Sequence, residues 1–265
     1  MAPKTSSTPD VTKRVNEKIK PASELEGWQR FLFYGPSGAG KTRLSASAPN
    51  VLLIDVNELG TASVRKDYNP DVYPIQYWSE FNDVYWYLKA GNHKYESWAI
   101  DGITAMQNLC MKFVLGDERS RDASRDPDMP SRAVWGKVGE LMKTQITNFR
   151  NLPMNGVFTA LVRSRQGGDG DDELAEMTYG PACSPSIAGH LEAAVDTIGH
   201  LSVIRVQKKD KKTQRTTTVV RRRLITGPTD RFLTKDRNNA FGAYIDNPTV
   251  TRMLDLINDS DEEED

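Results

Sequence analysis

The chain has almost no thiol or soft-metal chemistry to offer. Its 265 residues include two cysteines, Cys110 and Cys183, and three histidines. Neither cysteine has a His or a second Cys at metal-ligand spacing, which argues against a zinc cluster or a disulfide framework and leaves reduced thiols as the expectation. Long hydrophobic runs are missing too: nothing approaches the roughly 18 to 20 apolar residues that cross a bilayer. The opening MAPKTSSTPDVTKR carries no apolar segment of the secretory type. The expected compartment is the cytoplasm. Net charge is close to absent, at −1, so electrostatic recognition must come from local blocks rather than from a global field. No internal repeat is evident.

What is present suits a soluble globular chain with one main core, at 38% apolar and 27% charged residues. Residues 1–26 are polar and rich in Pro, Ser, Thr and Lys, and read as a flexible arm. Within it Val11, Val15 and Ile19 recur at i, i+4 and i+8, one narrow face of a short helix that either frays or docks on another chain. Residues 27–258 form the domain proper. Residues 259–265, DSDEEED, read as an acidic tail that serves solubility, competes with an anionic ligand for basic residues of the domain, or recruits a basic partner.

Inside the domain, short apolar runs alternate with helical patterns. Strands are predicted at 30–34, 51–55, 72–76, 97–101 and 156–162, and helices at 41–48, 79–89, 103–115, 132–151 and 249–258. Strands apolar on both faces and spaced by helices imply an α/β fold, a mostly parallel sheet covered on both sides. Residues 195–226 read instead as strands joined by a charged hairpin, which adds antiparallel strands at the C-terminal side.

The most informative segment is Gly35-Pro36-Ser37-Gly38-Ala39-Gly40-Lys41-Thr42, which fits G-x-x-x-x-G-K-[ST] between a predicted strand and a predicted helix. Glycines let the loop wrap phosphates closely enough for backbone N–H groups to point inward. The helix N-terminus adds partial positive charge. Lys41 would neutralise the β- and γ-phosphates of ATP, and Thr42 would place its hydroxyl on Mg²⁺. Asp101, which ends the apolar run Trp98-Ala99-Ile100, would hold the same cation, the alternative being a cap for the following helix. Hydrolysis needs a further carboxylate to orient water. LLIDVNELG offers Asp55 and Glu58, and the longer reach of Glu favours Glu58.

A second constellation is basic. Arg205, Lys208, Lys209, Lys211, Lys212, Arg215, Arg221, Arg222 and Arg223 are accompanied only by Asp210. So one-signed a hairpin suits a nucleic-acid backbone, against the plainer reading of a solvated turn.

With GPSGAGKT, LIDVNELG, WAIDGIT and RFLTKDRNNAFG in place, the chain resembles the RecA-like P-loop ATPases over residues 28–258, in particular the small phage members of Sak type, proposed as single-strand annealing proteins or minimal recombinases. The resemblance implies a ring or filament with ATP at subunit junctions. Lys235 and Arg237 would reach the γ-phosphate held by the adjacent copy. The segments 116–132 and 163–180 would line a DNA channel, with Arg163 and Arg165 on phosphates and Tyr179 stacked on a base. Asp169, Asp171, Asp172, Glu173 and Glu176 oppose that role in the second segment. Strict register puts Asn57 where the family has its catalytic Glu, with Glu58 next, which implies slow turnover; only Thr159 or Ser164 stands near the family's polar switch position. The acidic tail resembles those of single-strand binding proteins and points to replication or recombination partners. Two other readings stay open: a small-molecule kinase with Arg119, Arg121 and Arg125 in a lid, and a nucleotide-gated binding module with negligible catalysis.

Overall fold

The computed structural model describes residues 8–21, 27–56, 60–121, 130–166, 177–209 and 216–262. Along the chain these form α1 (Thr8–Asn16), β1 (Arg30–Gly35), α2 (Lys41–Ser45), β2 (Val51–Asp55), a 3-10 turn (Gly60–Ser63), β3 (Asp71–Pro74), α3 (Glu80–Lys89), β4 (Ser97–Asp101) and α4 (Ile103–Arg121). There follow α5 (Arg132–Arg150), β5 (Asn155–Gln166), β6 (Met177–Pro181), α6 (Pro185–Ala194), β7 (Thr197–Lys209), β8 (Thr216–Ile225), β9 (Lys235–Asp236), β10 (Tyr244–Asp246) and α7 (Val250–Glu262).

The unbroken apolar runs have a simple cause: alternate side chains enter different cores. In β1, Leu32 and Tyr34 join one cluster while Phe31 and Phe33 join the other; in β2, Leu52 and Ile54 oppose Val51 and Leu53. The first cluster is covered by α3, α4, α5 and α6 through residues such as Phe81, Met106, Met142 and Leu191. The second is covered by α2 and α7 through Leu44, Val250, Met253 and Ile257. The strand order is β10-β8-β7-β1-β5-β4-β2-β3. From β7 to β3 every neighbouring pair is parallel, whereas β8, β10, β6 and β9 attach antiparallel. This is the expected α/β sheet, with antiparallel strands added late in the chain.

Strand β5 lies between β1 and β4, so the chain reverses direction across the sheet beside β1, the position where open α/β folds hold ligands at their carboxyl edge. Arg30 fixes the start of β1: its guanidinium donates to the carbonyls of Arg150 at 2.9 Å and Leu152 at 2.6 Å, and its N–H donates to Asp196 at 3.0 Å. Burial pushes its pKa down to about 10 against the opposing pull of Asp196.

Several boundaries differ from the sequence expectations. The helix expected at 41–48 ends at Ser45, the strand expected at 72–76 occupies Asp71–Pro74, and α6 was not foreseen. The segment expected as a loop at 163–180 is partly ribbon: β5 continues to Gln166, with Arg163 opposite Gly180 on β6. The segment expected at 116–132 is shortened by α4, which reaches Arg121, and the closing helix runs to Glu262, into the acidic tail. On α1, Val11 and Val15 are exposed, as is Ile19 beyond it. Both cysteines are buried and unbridged, and burial pushes the Cys110 thiol up to about 12. Among the described residues no helix is long and apolar enough to cross a membrane.

Close packing at the sheet gives a stability prediction. A β-carbon on Gly156 would come within 2.2 Å of the ring of Trp98, which is fully buried. Gly156→Ala should therefore destabilise the fold by about 1 to 3 kcal/mol through overpacking, read as a lowered urea midpoint with an unchanged slope.

Candidate nucleotide site

The loop that follows β1 turns on two glycines. Gly38 and Gly40 have φ of 77° and 101°, in the left-handed region where a side chain is strained. Gly40 leads directly into α2. Because α2 is only five residues long, its dipole contributes less than the longer predicted helix would, and the loop's own N–H groups and Lys41 must do most of the anion binding. Lys41 is buried, and its ammonium donates to the carbonyls of Gly35 and Pro36 at 3.1 Å each, which holds the charge over the loop.

Asp101 ends β4 at the same edge of the sheet. Its carboxylate accepts a 2.6 Å hydrogen bond from the Thr42 hydroxyl and a second one from the Thr159 hydroxyl on β5. Three elements thus meet at one buried carboxylate: α2 through Thr42, the intervening strand β5 through Thr159, and the end of β4, which carries Asp101. Thr159, noted in the sequence only as a polar residue near a switch position, is a positioning group for Asp101. Asp55 ends β2 in register with Asp101 and is also buried. Gly60 closes on this corner, since a β-carbon there would meet the Thr42 hydroxyl at 2.7 Å. Asn57 and Glu58 lie outside the described residues, so among the candidate water-orienting carboxylates Asp55 is the one with a described place.

The donor set fits a magnesium–nucleotide pair. A hydroxyl and one carboxylate are hard oxygen ligands, and Mg²⁺ is commonly held by one or two carboxylates with phosphate and water oxygens completing the shell. The described residues contain no cluster of three or more acidic, His or Cys side chains that would make an all-protein metal cage.

The other expected site residues are more dispersed. Lys235 and Arg237 lie beside Thr197 and Ile198 at the start of β7, opposite Phe31 and Leu32, away from the loop that follows Gly35. The Lys235 ammonium donates to the carbonyls of Val195 at 2.6 Å and Glu192 at 2.9 Å; burial lowers its pKa, and Arg237 adds to the effect. Arg237 pairs with Asp196 at 2.7 Å. Neither cation reaches the loop of its own chain.

The basic hairpin is not one open face. Arg221 and Arg223 pair with Asp246, and Arg223 also lies 3.7 Å over the Tyr244 ring. Arg222, on the opposite face of β8, comes against Gly40. Arg205 is exposed. The side chains of Lys208, Lys209 and Arg165, and all of Lys211, Lys212 and Arg215, lie outside the described residues, as do the side chains of Arg119 and Arg121 and all of Arg125. Arg163 is half-buried on β5. Tyr179 packs on Phe232 with Arg231 5.3 Å above its ring, and its carbonyl lies 3.0 Å from the Tyr34 hydroxyl. His200 stacks on the other side of this group, 4.0 Å from Phe232; burial first, then Arg231, push its pKa down to about 4.

No curated protein matches the chain. Among solved structures, a KaiC-like protein of the hyperthermophilic archaeon Pyrococcus horikoshii is similar over 74% of this chain and 77% of its own, at 12% identity and a TM-score of 0.39. The family described as an AAA domain matches residues 28–238. That span runs from just before β1 through the phosphate-binding loop, Asp101 and Thr159 to β9. With more than half its length matched, the chain belongs to the AAA-domain family.

Proposed function

We propose that the protein is a magnesium-dependent ATPase that binds single-stranded DNA and supports annealing or strand exchange, working as a ring or filament with ATP at the junctions between copies. The observation that carries the nucleotide part is the meeting of Thr42 and Asp101 beside Lys41 at the carboxyl edge of β1 and β4. In this reading the loop amides and Lys41 bind the phosphates, while Thr42 and Asp101 hold Mg²⁺ in place. The cation supplies neutralisation of charge on the transferring phosphoryl group. Asp55 or Glu58 orients the attacking water.

The oligomeric part is motivated by Lys235 and Arg237. Both stand on the side of the domain away from their own loop, as cations serving a neighbouring site must. The DNA part is motivated by the exposed Arg205 and by the run of lysines in the sequence between β7 and β8. Nucleotide release would then loosen the junction and the grip on DNA.

Phosphate release measured with and without single-stranded DNA tests the proposal. Native protein should be stimulated by the strand, and Arg237→Ala should lose turnover. Mixed in equal amounts with Lys41→Ala, the Arg237→Ala chain should recover about a quarter of native activity, the random share of junctions that join an intact loop to an intact arginine. Absence of recovery would rule out sites shared between copies. Turnover indifferent to DNA would remove the recombination reading, and tight ATP binding without phosphate release would leave a nucleotide-gated binding module.

A further inference from the structure

Three consecutive arginines on β8 have different surroundings. Arg221 and Arg223 point to one face and share Asp246. Arg222 points to the other face, and no carboxylate among the described residues pairs with it. Its guanidinium lies so near the phosphate-binding loop that a β-carbon on Gly40 would come within 2.3 Å of its Nε. Beside it opens a cavity of about 290 Å³. The apolar floor is Leu44, Leu201 and Pro248, and the polar rim includes Arg222, Arg43 and Asn247.

This cavity is suited to something other than phosphate. An apolar floor does not compensate the desolvation of an anion, whereas it favours a flat heteroaromatic ring. Leu44 lies three residues beyond Lys41, just under one helical turn, so the cavity continues from the phosphate loop along the first turn of α2. Arg43 is held at the rim by Asp67 and by the Tyr68 ring, 5.5 Å from its guanidinium. Arg222 has no such tether. A planar guanidinium at the edge of an apolar slot can lie against a π face and donate to ring nitrogens or ribose oxygens in a way that an ammonium cannot.

Resting on the nucleotide-binding reading above, we propose that the cavity between α2, β8 and the β10–α7 turn is the nucleoside pocket of the phosphate loop, with Arg222 stacking on the purine. Arg222 thereby belongs to the nucleotide, although it lies in a segment whose composition points to DNA. Hairpin strand β8 then touches the ligand of the loop through Arg222 while its first residues come shortly after the lysine-rich sequence 208–212.

Binding of ATP, ADP and inorganic tripolyphosphate, each with Mg²⁺, to native protein, Arg222→Ala and Arg222→Lys decides the matter. Arg222→Ala should weaken ATP and ADP by about tenfold and leave tripolyphosphate unchanged. Arg222→Lys, which keeps the charge and loses the plane, should also weaken both nucleotides. Because Arg222 is exposed, both variants should melt with the native protein. Equal losses for ATP and tripolyphosphate would make Arg222 a phosphate contact and overturn the pocket. Unchanged ATP affinity with weakened single-stranded DNA binding would overturn it in favour of a DNA contact. Native protein that bound tripolyphosphate as tightly as ATP would also overturn the pocket while sparing the loop. Native protein that bound neither would remove the nucleotide reading itself, and the pocket with it.

Discussion

Lys41→Ala should lower phosphate release by at least about a hundredfold, the scale seen when a preorganised charge-stabilising donor is removed from a reacting centre. The physical reason is local. The ammonium is buried and held 3.1 Å from two carbonyls of its own loop, so its position over the phosphates is set before any ligand arrives. Water entering the space left by Ala would restore some solvation but no fixed charge. Binding should fall as well, because the same cation opposes the phosphate charge in the ground state. Fluorescent-nucleotide titration separates the two effects, and a melting curve checks that the fold survives. Turnover within threefold of native would mean that Lys41 only braces the loop, and the phosphate assignment would fail.

The second large effect is expected at Asp101. Asp101→Asn keeps the shape and removes the charge that would face Mg²⁺, and phosphate release should fall by about a hundred- to a thousandfold. The fold should tolerate it. The Asn amide can still accept from one hydroxyl through its oxygen, while its NH₂ group donates to the other hydroxyl once that hydroxyl rotates. A distinguishing reading comes from magnesium itself: the variant should need far more Mg²⁺ for half-maximal turnover, whereas nucleotide affinity measured in EDTA should be near native. If the magnesium requirement does not move, Asp101 is a structural bridge between Thr42 and Thr159 and not a metal ligand.

The parts of this site differed in how readily they could be read from sequence, for physical reasons. The phosphate loop was plain because Gly38 and Gly40 occupy backbone conformations that select glycine, and because the strand before it is apolar at every position but its first. Asp101 was legible as the polar end of an apolar run. Thr159 was much less so: its role depends on β5 lying between β1 and β4, a sheet order that no local pattern encodes. Arg222 was legible as a charge but not as a neighbour of the loop, since alternate residues of a strand face opposite ways and the register of β7 with β8 decides which arginine meets Asp246 and which meets Gly40. Lys235 and Arg237 were recognisable as a pair, yet their own-chain partners, Val195 and Asp196, lie some 40 residues earlier in sequence. The helix α6 was missed although Ile187, Ala188, Leu191 and Ala194 follow a helical period, with Pro185 at its start.

The burial of β1 has a consequence for how ligand energy is distributed. All six of its residues are buried, and it is flanked by parallel neighbours on either side. Amides in such a strand exchange with solvent only when the whole domain opens. The phosphate loop is thus rooted in the last part of the molecule to yield, and any grip on its ligand is transmitted to the cooperative unit as a whole instead of being absorbed by local fraying.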